Sequence, residues 1–181
     1  TVIGFVLTKP AIRKILRNQD EYFKYLYSKY TLYFDYYVPE LKSASKLLPS
    51  EQEMLDAMIY VAHNYPKVYP VAELLQNKTN QMTCYSLNKL TLLPDGKEVK
   101  CRYLVYEESD FETTPIDYST NEFIIESHLK RHDCFNCSWF ERCQFRCFVQ
   151  ADWKDLERLE DCMFRMFFEE MSQEGLLLNE Q

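Results

Sequence analysis

The chain has 181 residues, a formal charge of −7 and only three glycines. That length buries a real core, in one domain or parts of two, and the acidic balance excludes the basic stripe of a nucleic-acid binder. No apolar run approaches the roughly 18–20 residues that span a bilayer, and the first residues lack the basic, apolar and small-residue order of a signal peptide, so the sequence reads as cytoplasmic and free of membrane contact.

Residues 2–7 are a continuous apolar run, the pattern of a strand buried on both faces. The chain enters this run at once, without a methionine, and so reads as a piece of a longer protein. Ile12, Ile15, Leu16, Tyr22, Phe23, Leu26 and Tyr27 recur at helical spacing and predict a helix over residues 11–29. Residues 30–38 are rich in aromatic and β-branched side chains and stop at Pro39, as a second strand does. Strand, helix and strand in succession form a βαβ unit, whose strands run parallel. Tyr36 and Tyr37, at the end of the second strand, are core residues or line the mouth of a barrel.

Ser50 and Glu53 stand in capping-box spacing ahead of the apolar stripe Met54, Leu55, Met58, Ile59 and Ala62. A connector follows Pro66, with a short helix expected over residues 71–75. Residues 85–93 and 97–106 read as two strands around Pro94-Asp95-Gly96, a turn in which Gly96 takes a positive φ. Residues 107–126 hold seven acidic side chains and no basic one, the mark of a solvated loop and a short helix. A last helix is expected over residues 153–171, capped by Asp152 and followed by Gly175. Leu156, Leu159, Cys162, Met163, Met166 and Phe167 would share its inner face.

All seven cysteines fall in the second half, at positions 84, 101, 134, 137, 143, 147 and 162. An odd number in a cytoplasmic chain argues against disulfides and for metal ligation. Cys84 and Cys101 belong to the expected hairpin. Cys134-x2-Cys137 lets two neighbouring thiolates bind one centre, and Cys143 and Cys147 would share a face on a helix. Spacing alone leaves zinc open, with four cysteines in one site and three plus His132 or His128 in another. Iron–sulfur clusters, held by thiolates from irregular loops, are the stronger assignment. Trp139, Phe140, Phe145 and Phe148 would form an apolar shell, and Arg142 and Arg146 would offset cluster charge or lie on the surface. His132 is a candidate donor behind the ligands.

The order Cys84-x11-Gly96-x4-Cys101, Cys134-x2-Cys137-x5-Cys143-x3-Cys147 and Cys162 resembles the seven-cysteine pattern of the SPASM domain. That domain extends radical S-adenosylmethionine (radical SAM) enzymes that modify peptides and proteins. Leu92-Leu93-Pro94-Asp95-Gly96-Lys97-Glu98-Val99-Lys100-Cys101 is similar to its hairpin in residues as well as spacing. The strand–helix–strand start more weakly resembles the end of the partial (β/α)6 barrel of those enzymes. The fold implied is the α/β end of that barrel followed by an α+β SPASM domain, a hairpin and helices around two clusters. Residues 1–66 would be the barrel portion, 67–83 the connector, and 84–181 the auxiliary-cluster domain with its C-terminal helix.

The resemblance implies that Cys84, Cys101 and Cys147 ligate a first auxiliary 4Fe–4S cluster. Cys134, Cys137, Cys143 and Cys162 would ligate a second, with full cysteine coordination. Relatives such as the anaerobic sulfatase maturases have one more cysteine just before the hairpin pair. Residues 74–83 contain none, which leaves the first cluster an open iron and tilts the reading from formylglycine formation towards peptide modification. Between Cys143 and Cys147 the sequence is Gln144-Phe145-Arg146, where relatives often have glycines. The Cys-x3-Cys-x2-Cys motif of the SAM-cleaving cluster is absent, for Gln150 stands where the third cysteine would follow Cys143 and Cys147. S-adenosylmethionine and a third cluster are therefore expected in a preceding part of the enzyme. The partners implied are a peptide or protein substrate and an electron donor such as flavodoxin or ferredoxin. A zinc-stabilised binding module without redox function is the competing class.

Overall fold

A computed structural model describes residues 1–39, 42–76, 91–92, 94, 96, 98–99, 129–130, 132–143, 150 and 156–178. Strand β1 (Val2–Leu7) pairs in parallel with β2 (Thr31–Tyr36), with Ile3 opposite Leu32 and Phe5 opposite Phe34. Parallel neighbours need a crossover, and the helices between them supply it. The crossover is two helices where the periodicity predicts one. Helix α1 (Lys9–Leu16) is capped by Thr8 and stops before Asn18, which takes a left-handed φ of 54°. Asp20 then accepts a hydrogen bond from the Phe23 N–H at 2.8 Å and starts helix α2 (Glu21–Lys29). Asn tolerates that φ and Asp caps well, so two small polar residues divide an otherwise continuous apolar stripe.

Among the described residues, the strands are covered on one face only, contrary to the expectation for β1. Leu7, Leu32 and Phe34 are buried, while Val2 is 68% exposed, Val6 48% and Tyr33 42%. On the covered face, Phe23 from α2 meets Phe5 edge-on at 5.2 Å and Tyr65 edge-on at 5.2 Å. The far edge of β2 is occupied by Tyr69, whose N–H donates to Leu32 O at 2.9 Å and whose carbonyl accepts from Phe34 N at 2.7 Å. The far edge of β1 pairs with no strand among the described residues.

A 3₁₀ turn (Lys42–Leu47) leads to helix α3 (Glu51–Asn64), which begins in the expected capping box. Glu53 N donates to Ser50 Oγ and Ser50 N to the Glu53 carboxylate, both at 3.1 Å. The same carboxylate meets Arg13 at 3.0 Å and Lys9 at 3.5 Å, tying α3 to α1. Helix α4 (Val71–Leu75) follows as expected. Of the hairpin, β3 (Thr91–Leu92) and β4 (Glu98–Val99) pair antiparallel, and Gly96 has a φ of +84° in the turn.

The last helix, α5 (Met163–Gln173), starts ten residues, nearly three turns, after the expected start at residue 153. Residues 156–162 are irregular, and Cys162 is the N-cap of α5 and exposed, where the sequence pattern has it inside a helix facing inward. Gly175 follows the helix with a φ of +71°. Met163, Phe164, Phe167, Phe168 and Met171 are buried in the same cluster as Met54, Val61 and Leu74. One core therefore joins α5 to the strand-and-helix unit. Among the described residues, no helix is long and apolar enough to cross a membrane.

Candidate metal centre

Three of the cysteines sit on consecutive tight turns. Asp133, with a φ of 52°, turns the chain into a short 3₁₀ segment (Cys134–Asn136), and Asn136 Nδ2 donates back to Asp133 Oδ1 at 2.7 Å. Cys137 N donates to Cys134 O at 3.0 Å, closing the Cys-x2-Cys turn. Phe140 N then donates to Cys137 O at 3.1 Å, and Cys143 N to Trp139 O at 2.8 Å. Each closure returns the chain on itself, so thiols three and six positions apart in sequence face one region.

Cys162 reaches that region from the far side, at the start of α5. Cys134, Cys137, Cys143 and Cys162 together line one cavity of about 90 Å³. All four are thiols, three partly buried and Cys162 exposed. Among the described residues, no group of three or more His, Cys, Asp or Glu is disposed to hold a metal ion.

Trp139, Phe140 and Phe168 supply apolar wall. Trp139 stacks on Phe168 with ring centres 5.4 Å apart, which fixes the cysteine loop against α5. His132 also lines the cavity. Arg165 completes the lining, from the first turn of α5. Its guanidinium is held above the ordinary arginine range first by its hydrogen bond and charge contact with Asp161, then by Glu169 and the Cys137 sulfur. Comparison with family models, curated proteins and solved structures found no match.

Arg165, paired with Asp161, is the arginine on the cavity wall among the described residues, and sequence reasoning missed it. The available signal was its position three residues beyond Cys162, which puts both on one side of a helix start. Arg142, expected to offset charge or lie at the surface, has a different job. It donates to Leu74 O at 3.1 Å, and to Leu75 O and Leu178 O at 2.8 Å each. Tyr36 and Tyr37 are partly buried and pack on the core. Cys84, Cys101, Cys147, His128, Phe145, Arg146, Phe148, Asp152 and Trp153 lie outside the described residues, as do the acidic segment 107–126 and most of the two expected strands.

Proposed function

We propose that this chain is the auxiliary-cluster region of a radical SAM enzyme that modifies a peptide or protein. In this reading Cys134, Cys137, Cys143 and Cys162 hold one 4Fe–4S cluster. Cys84, Cys101 and Cys147 hold a second with an open iron, where a substrate thiolate or water can bind. The observation that carries the reading is the cavity itself. The four cysteines assigned to one cluster by the seven-cysteine pattern, spread from residue 134 to residue 162, line it together.

Further support comes from the wall and the sheet. The aromatic wall limits water, and Arg165 offsets the negative charge of a thiolate-ligated cluster. The exposed face of β1 and β2, with Val2, Val6 and Tyr33, fits a parallel sheet whose second face a further layer covers, since such sheets are normally covered on both sides. A cluster bound here would supply one-electron transfer between the substrate and an external carrier such as flavodoxin or ferredoxin. The SAM-cleaving motif is not in these residues, so radical generation belongs to another segment of the enzyme.

Anaerobic reconstitution of the chain with ferrous iron and sulfide tests this. Two clusters bring about eight irons per chain and visible thiolate-to-iron charge-transfer absorption. Replacing Cys134 and Cys137 together with serine should reduce the iron to about four per chain. A colourless protein that retains one or two zinc ions and takes up no iron ends the proposal in favour of a zinc-stabilised module.

A further inference from the structure

Among the described residues, the segments that bear Cys134, Cys137, Cys143 and Cys162 have little regular structure of their own ahead of α5. The turn closures at Cys137, Phe140 and Cys143 order the 132–143 loop internally, but none reaches α5, and Cys162 follows the irregular run 156–161. Backbone without a helix or sheet ladder must find its partners elsewhere. Here Glu51 meets that need for the Cys162 arm, and Arg142, carried by the cysteine loop, ties the Cys143 arm to carbonyls outside it.

Glu51, the first residue of α3, is only 3% exposed. Its carboxylate accepts from Leu159 N at 2.8 Å, and its own N–H donates to Glu157 O at 2.9 Å. These two bonds clasp the irregular run just ahead of Cys162. A buried carboxylate is costly unless it is hydrogen-bonded, and the start of α3 offsets part of that cost through its exposed N–H groups and dipole. Arg142 is the counterpart beside Cys143. Its guanidinium takes the Leu74 and Leu75 carbonyls at the end of α4, which the helix end leaves without intrahelical partners, and the Leu178 carbonyl five residues beyond α5.

We infer that Glu51 and Arg142 are positioning residues: each anchors one arm of the cysteine cavity, the Cys162 arm and the Cys143 arm, to the strand-and-helix unit. The spacing of the thiols is then set by that unit as well as by the cysteine loop, and movement of α3 or α4 is passed to the cavity. The role of the cavity as a cluster site rests on the function proposed above; the anchoring does not.

Metal-free protein can therefore test it. A short reagent that bridges two thiols, followed by peptide mass mapping, reports how fast Cys162 links to Cys137 or Cys143, with the Cys134–Cys137 link as an internal reference. Glu51→Ala should slow the Cys162 links about tenfold or more relative to the reference, as expected for loss of a buried hydrogen bond to a charged group. Glu51→Gln, whose amide oxygen still accepts from Leu159 N, should stay within about twofold of the native rate. Arg142→Lys keeps the charge but loses the fork, and should slow the same links without changing the reference. Equal slowing by Gln and Ala, or native rates with a lowered melting temperature, overturns the inference and leaves Glu51 a stabiliser of the fold only. If Glu51→Ala fails to fold, Arg142→Lys decides, and a native rate in that variant rejects the anchoring. Failure to take up iron would count against the function and leave these rates unaffected.

Discussion

Tyr65 shows how a single side chain couples packing to pH. It closes the C-terminal end of α3, with its ring edge-on to Phe23 at 5.2 Å and to Tyr27 at 5.0 Å. Burial raises its pKa above the ordinary tyrosine value of 10.0, and the neighbouring Tyr60 adds to the rise while Lys24 opposes it. The folded protein thus keeps a proton that the unfolded chain has released. Its contribution to stability is complete below about pH 10 and is lost as the pH climbs through the folded value. Denaturant melts at pH 8 and at pH 11 should accordingly show a smaller alkaline loss for Tyr65→Phe than for the native chain. Equal losses would mean that Tyr65 does not titrate in this range. Cys162 makes a related point about placement. At an N-cap its thiol faces the cavity and solvent together, whereas inside a helix the same residue would be sealed in the core.

At the scale of elements, boundaries follow capping chemistry more closely than hydrophobic period. Asn18 and Asp20 divide the first helical stretch, and the capping box at Ser50 starts α3 where the sequence predicts. Ser50→Ala removes the acceptor for Glu53 N and should cost about 1 kcal/mol, lowering the melting temperature by roughly 2–4 °C for a chain of this size. The Glu51 bond to Leu159 involves a different side chain, so the cross-linking rates of Cys162 should stay near native in Ser50→Ala. The C-terminal helix shows the limit of periodic reading. Leu156 is buried and Leu159 partly so, which fits a helical face, yet the run from 156 to 162 is irregular and bound through Glu51. Apolar spacing reports which residues turn inward; the backbone that turns them need not be a helix.

Over the whole molecule, one core serves both the sheet and the cysteine cavity. Phe168 is fully buried in that core and stacked on Trp139 from the cysteine loop. Phe168→Ala should destabilise the chain by about 3–5 kcal/mol in urea denaturation. It should also shorten iron retention after reconstitution, because Trp139 loses the surface it rests on. A stability loss with unchanged retention would show the loop to be held by Arg142 alone. The contact of His63 Nε2 with the Glu174 carboxylate, at 3.0 Å, links the C-terminal ends of α3 and α5.

The sequence by itself determined the parallel strand pair, the start of α3 and the turn at Gly96. These depend on local rules: period, cap spacing and a positive φ that glycine accepts. Tertiary structure alone decided the rest. It left one face of β1 bare among the described residues, placed Cys162 at a helix start, brought Arg165 to the cavity, and bound Arg142 to three carbonyls distant in sequence. Those outcomes depend on partners far apart in sequence, such as Arg142 with Leu74 and Glu51 with Leu159, whose meeting no local pattern encodes.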